Sequence, residues 1–255
     1  MALIQTSFYS LALKLNTHLT ILHPGDSLKP EPLGHEYPVI FLLHGHGGNN
    51  QDYLIHSNAA RFARNRRAIL VCPEVHNSFY ADMVYGRDYF TYMTEEIPEI
   101  LQRFFGFRWK RELVSVAGLS MGGYGAINLA LKRPDLFQAA GSMSGPLDIQ
   151  DLVSEIRVSE ERRLAEMIAI LGPERTVREE DDVLVQVGRS AALTNRPRLG
   201  VCVGEGDFLV EHTEKFLAVC EASGYPAVSW SGPGGHNWEY WNANLERMMD
   251  FCLDR

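Results

Sequence analysis

The chain has 255 residues, 45% of them hydrophobic and 22% charged. That composition excludes a disordered polymer, a collagen-like repeat and a small disulfide scaffold, and suits one large globular domain or two small ones. Its 24 basic and 32 acidic residues leave a formal net charge of −8, which argues against a nucleic-acid backbone or an anionic membrane surface as the main partner.

Residues 7–23 alternate apolar and polar positions (LALKL, LTILH), the period of one or two antiparallel strands at a sheet edge. Short continuous apolar runs follow at residues 38–43 (PVIFLL), 68–71 (AILV), 113–117 (LVSVA), 137–143 and 199–203. Runs this short and unbroken suit strands buried on both faces of a parallel sheet. Between them, TEEIPEILQRFFG places Ile97, Ile100, Leu101, Phe104 and Phe105 on one helical face. Thr94 is the expected N-cap and Gly106 the stop, with Pro98 either kinking the helix or displacing its start.

Residues 151–188 break the rhythm. Ten acids and five bases concentrate a net −5 of the chain's −8 there, among helical apolar positions such as Leu164, Met167, Ile168 and Leu171. The segment reads as a cap-like helical insertion, either a solvated cover or a cap over a substrate pocket. The last stretch repeats the helical pattern through Trp241, Leu245, Met248, Met249 and Cys252. Alternating buried strands and amphipathic helices indicate an α/β fold with a mostly parallel central sheet. Cys72, Cys202, Cys220 and Cys252 show no CxxC pairing and sit in apolar contexts, which reads as buried free thiols. No stretch approaches the roughly 18 apolar residues of a membrane span. The opening MALIQTSFYSLALKLN lacks the pattern of a secretory signal, so a cytoplasmic protein is expected.

Gly118-Leu119-Ser120-Met121-Gly122 fits G-x-S-x-G directly after LVSVA and before the helix-compatible GYGAINLALKRP. A strand feeding a tight turn that feeds a helix exposes a serine at the carboxyl edge of a sheet, and glycines two residues either side give that turn room. A serine hydroxyl is a weak nucleophile at neutral pH. It therefore needs a base, an acid to orient that base, and donors for the developing oxyanion. His236, in GGHNW just before the last helix, is the candidate base. For the acid, Asp207 in VGEGDF precedes His236 by 29 residues, with Glu205 in the same loop and Asp148 after GSMSGPL as alternatives. The run PVIFLL leads into HGHGGN, so the main-chain N–H of His46 joins that of Met121 as the expected oxyanion pair.

His18, His23, His35, His56, His76 and His212 lack a comparable setting and read as surface or structural. His44 and His46 could also face one side of a strand as metal ligands, but no carboxylate cluster accompanies them. No metal or other cofactor is expected. Tyr80, Tyr85, Tyr124, Phe208 and Trp238 stand close to the motifs and either wall a small acyl pocket or belong to the core.

Taken in order, HGHGGN, SFYADMVYGRDYFTYMTEEIPE, GLSMGGYGA, GEGDFL and GGHNWEYW resemble the tributyrin-esterase branch of the esterase-D-like α/β-hydrolases. The relatives of that branch are S-formylglutathione hydrolases and feruloyl and acetyl-xylan esterases. The resemblance spans nearly the whole chain and implies a single α/β-hydrolase domain over residues 1–255. By motif match it implies Ser120 as nucleophile, Asp207 as acid, His236 as base, and the amides of His46 and Met121 as oxyanion donors. It further implies metal-independent hydrolysis of short-chain esters, acetyl to butyryl, with a small-molecule ester as partner. A thioesterase acting on S-formylglutathione, an acetyl-sugar or feruloyl esterase and an acyltransferase would use the same residues; a catalytically silent binding module is the reading from another class. Exposed apolar positions in the insertion or edge strands could support a dimer or tetramer, as the resemblance suggests. Residues 151–188 depart most from the family's pattern, and their acidity weighs against strongly anionic substrates.

Overall fold

The computed structural model describes residues 1–25, 36–157 and 159–254; His35 and residue 158 of the insertion lie outside them. Eight strands of the described residues form one sheet. They are β1 (Ala2–Ser10), β2 (Leu15–His23), β3 (Val39–Leu43), β4 (Ile69–Pro73), β5 (Val114–Leu119), β6 (Ala139–Met143), β7 (Arg198–Gly204) and β8 (Ala227–Gly232). Their order is β1-β2-β4-β3-β5-β6-β7-β8. The β1/β2 and β2/β4 pairs are antiparallel and the others parallel.

The edge hairpin begins at Ala2, earlier than the alternating pattern suggested. The turn after Ser10 sets a register in which every residue of β2 has a partner, down to Ala2 opposite His23. In the central strands, period-two geometry divides each apolar run between two cores. Val39, Phe41 and Leu43 join Val71 and Val116 on one face, while Ile40 and Leu42 join Leu70, Cys72 and Ala117 on the other. The first face is covered by the helices Ile97–Phe105 and Met121–Lys132, and the second by Ala59–Arg66 and Trp238–Cys252. In the last helix Trp241, Leu245, Met248, Met249 and Cys252 are all buried; burial of one such large side chain contributes about 1.5–3 kcal/mol.

The segment around Pro98 corrects the expected N-cap. Helical backbone begins at Tyr89–Thr91, passes through a π-helical turn at Tyr92–Glu96 and continues as Ile97–Phe105, ending at Gly106. Thr94 is interior rather than a cap, and its Oγ1 donates to Phe90 O at 2.9 Å. Pro98 offers no N–H to the Thr94 carbonyl, and the wider turn keeps the ring clear of it. Arg133 Nη1 donates to that carbonyl instead, at 3.4 Å.

The insertion contains the helix Glu161–Leu171, preceded by Ile149–Glu155 and followed by Val183–Ser190. All four cysteines are buried and free. Among the described residues no helix is long and apolar enough to cross a membrane. The chain leaves β3 for β4 on one side and returns to β5 on the other. The carboxyl ends of β3 and β5 therefore border the topological switch point, where open α/β sheets bind ligands.

Candidate active site

Ser120 lies between β5 and the helix Met121–Lys132 with φ 51° and ψ −124°. A positive φ at a non-glycine residue costs about 1–3 kcal/mol and persists only where the surroundings enforce it. Here Ser120 N–H donates to Met143 O at 2.9 Å, and Ser120 O accepts from Gly123 N–H at 2.8 Å and Tyr124 N–H at 3.2 Å. The helix starts hard against the end of β3. A Cβ at Gly122 would collide with the carbonyl oxygens of Leu43 and His44, so only glycine allows this approach.

The loops after β7 and β8 are tied by main-chain bonds from Glu205 N–H to Gly232 O and from Gly206 N–H to Gly234 O, each 2.9 Å. This brings Asp207 and His236 together. His236 Nδ1 stands 3.0 and 3.1 Å from the two Asp207 carboxylate oxygens, and His236 Nε2 stands 2.9 Å from Ser120 Oγ. With Nδ1–H donating to the carboxylate, Nε2 is free to accept the serine proton, a tautomer assigned from the hydrogen-bond network. The imidazole lies between Phe208 and Trp241, at ring-centroid distances of 4.6 and 4.9 Å.

Burial alone would push the Asp207 carboxyl pKa up. Hydrogen bonds from His236, Ser144 and Leu209 N–H outweigh it and hold the group below the usual aspartate value. The alternative acids are elsewhere. Glu205 is exposed, while Asp148 caps the helix Ile149–Glu155 through Asp151 N–H at 3.2 Å and pairs with Lys215.

Ser120, His236, His46 and Met121 line one cavity of about 320 Å³. The Met121 N–H opens its helix and has no intrahelical acceptor. Among the described residues neither it nor the His46 N–H has a hydrogen-bond partner. The arrangement can take a proton from Ser120, and the two unpaired N–H groups belong to residues that line the same cavity, a combination suited to acyl transfer.

The aromatic lining differs from expectation. Phe79 and Phe208 line the cavity, and Phe208 is 72% exposed. Tyr80, Tyr124 and Trp238 are not among the lining residues. Tyr80 is buried with its hydroxyl donating to His44 O at 2.9 Å, and the Tyr124 hydroxyl donates to Asp181 O at 2.5 Å. Trp238 packs against Tyr53 and His56, and Tyr85 is exposed. Phe79 and Tyr80, both at positive φ, are buried in one core, and of the two Phe79 also reaches the cavity.

Leu152, Arg163, Glu166 and Met167 also line the cavity, so the insertion covers the site. His44 and His46 take separate partners. The buried His44 donates from Nδ1 to Gly45 O at 2.8 Å and accepts Val75 N–H at Nε2 at 3.2 Å. His46 Nε2 bonds Glu166 Oε2 at 2.7 Å. Among the described residues no group of three or more His, Cys, Asp or Glu side chains could hold a metal ion. His212 is buried and accepts Asp148 N–H at 3.3 Å.

Sequence reasoning missed Ser144. Its buried hydroxyl accepts Trp241 Nε1–H at 3.1 Å and helps hold the Asp207 pKa down. The signal was a serine just past the strand in GSMSGP, which the search for an acid at Asp148 passed over.

Residues 10–252 match the family model Esterase, described as "Putative esterase". The chain belongs to this esterase family. The esterase is 28% identical to an acetyl esterase of Caldicellulosiruptor saccharolyticus over 267 aligned residues, covering 98% of each chain. Among solved structures it is similar to fluorophosphonate-binding serine hydrolase F of Staphylococcus aureus, with TM-score 0.89 and 26% identity over 100% of this chain and 99% of that one. It is also similar to an S-formylglutathione hydrolase of Staphylococcus aureus, with TM-score 0.85 and 27% identity over 99% and 98% of the two chains. The fold is that of the α/β-hydrolases, and the protein is a carboxylic ester hydrolase of the serine type.

Proposed function

We propose that the esterase hydrolyses short-chain acyl esters, acetyl to butyryl, through an acyl-enzyme on Ser120. His236 takes the Ser120 proton as the hydroxyl oxygen bonds to the ester carbonyl carbon, and Asp207 holds the imidazole and stabilises the imidazolium. The N–H groups of His46 and Met121 hold the oxyanion. Collapse of the adduct breaks the ester C–O bond, and the alcohol leaves with the proton from His236. Water then attacks the acyl-enzyme by the same route and releases the acid.

The observation that carries this reading is the unbroken row Asp207–His236–Ser120, with contacts of 3.0 and 2.9 Å, opening on one small cavity. Support for a short acyl group comes from that cavity's size of about 320 Å³ and from the acetyl esterase relative.

Ser120→Ala should lower turnover of p-nitrophenyl acetate by on the order of 10⁴ or more; near-parental activity would refute the nucleophile. A series from acetyl to octanoyl esters, with S-formylglutathione as a competing thioester, tests the substrate range. A preference for octanoyl would refute the small acyl site, and a dominant thioester would reassign the substrate.

A further inference from the structure

We propose that Glu166, on the insertion helix Glu161–Leu171, is a positioning residue for the oxyanion loop, so that the insertion takes part in transition-state stabilisation as well as covering the cavity. The inference rests on the reading of the His46 and Met121 N–H groups as oxyanion donors.

The Glu166 carboxylate bridges both sides of that donor. Oε2 bonds His46 Nε2 at 2.7 Å and Oε1 accepts from Asn77 Nδ2 at 3.2 Å. Asn77 Oδ1 in turn accepts the Gly47 N–H at 2.7 Å. The side chain of His46 and the peptide that follows it are thus tied to one helix. Gly47 has φ 77°, and a Cβ there would meet nothing within 4 Å. Gly47 is exposed, and its hydrogen bond to Asn77 ties the loop to the helix at this point. A third neighbour, Arg162 Nε, lies 3.6 Å from Glu166 Oε1. Burial pulls the Glu166 pKa up, but hydrogen bonds from His46 and Asn77 outweigh it and keep the carboxyl below its ordinary value, charged at neutral pH.

The support is itself anchored. Met167 and Ile170 are buried in the core, and the last-turn carbonyls of Ala169 and Ile170, which lack intrahelical donors, accept Tyr85 N–H at 2.8 Å and Val84 N–H at 3.1 Å. A helix fastened this way transmits a fixed position to the loop.

Two magnitudes separate this role from ordinary adhesion. The His46 and Glu166 side chains are 41% and 21% exposed, and a polar contact so open to solvent contributes little to stability. A donor displaced by about 1 Å can cost roughly a hundredfold in rate. Loss of the bridge should therefore appear in turnover and hardly in melting.

The test is Glu166→Leu, which keeps much of the bulk but removes both oxygens of the bridge, with Asn77→Ala as an independent second variant should the first fold poorly. Against an acetyl ester, kcat should fall roughly ten- to a hundredfold, short of the loss from deleting a donor outright, with KM within about twofold. Affinity for a trifluoromethyl ketone, which mimics the tetrahedral adduct, should fall in proportion to kcat/KM. The double variant should be no slower than the slower single variant, because both break one bridge. Unchanged kcat in the folded variants, a rise in KM alone, or additive losses would overturn the inference. Ser120→Ala, assayed alongside, separates the two readings: if it is inactive, a null result at Glu166 sinks only the positioning role, and if it is active, the serine mechanism falls and this inference with it.

Discussion

Replacing Ser144 with alanine tests whether the hydroxyl behind Asp207 holds the acid in place. Ser144 is wholly buried with φ 54°; its Oγ accepts Trp241 Nε1–H at 3.1 Å, and the hydroxyl favours the charged Asp207 carboxylate. Alanine strands the buried Trp241 N–H, at a cost of about 1–3 kcal/mol, and takes away the hydroxyl that favours the charged Asp207 carboxylate. A loss of about 1–3 kcal/mol lowers the melting temperature by roughly 2–12 °C for a chain of this size. Less firmly held, Asp207 orients His236 less well, and kcat for an acetyl ester should fall about tenfold or more. Ser144→Gly removes the same hydroxyl but relieves the left-handed backbone. It should melt above the alanine variant by an amount corresponding to about 1 kcal/mol, with turnover equally impaired. Melting curves and steady-state kinetics on the three proteins decide the matter. An alanine variant that melts within about 1 °C of the parent and keeps its kcat would refute the reasoning.

Two further outcomes follow from packing. Gly122→Ala sets a Cβ against the carbonyl oxygens of Leu43 and His44, which belong to the end of β3 and its loop and cannot rotate aside. The expected cost exceeds about 3 kcal/mol, with loss of fluorophosphonate labelling at Ser120, and labelling at the parental rate would show that the turn has slack. Burial pushes the thiols of Cys72, Cys202, Cys220 and Cys252 up to about 12. Dithionitrobenzoate at pH 8 should therefore release no colour from native protein and the full signal in denaturant; a thiol reacting within seconds before unfolding would contradict its burial.

Much of the site was legible because its parts are local. The strand run before Ser120, the glycines around it and the apolar helix positions after it all lie within a few residues, and each constrains the backbone of the next. The choice among Asp207, Glu205 and Asp148 was less determined by pattern. Asp207 and Glu205 share one loop, and only the main-chain ties between that loop and the one bearing His236 turn the Asp207 carboxyl inward. The aromatic lining was misread for a related reason. Proximity to a motif does not say whether a ring reaches the cavity: Phe79 and Tyr80 are buried in one core, and of the two Phe79 lines the site. At Pro98 the displaced start holds, with the α-helix beginning at Ile97, while the π-helical turn ahead of it, which leaves no mark in apolar periodicity, was missed.

By itself the sequence determined the fold class and the strand–turn–helix around Ser120, since hydrophobic period and turn chemistry act over short stretches of chain. The tertiary structure decided which distant groups support them. Glu166 meets His46 across 120 positions and Ser144 meets Trp241 across 97. Contacts between residues so far apart arise only when the strands carrying them are paired and the helices packed, so their geometry belongs to the assembled sheet.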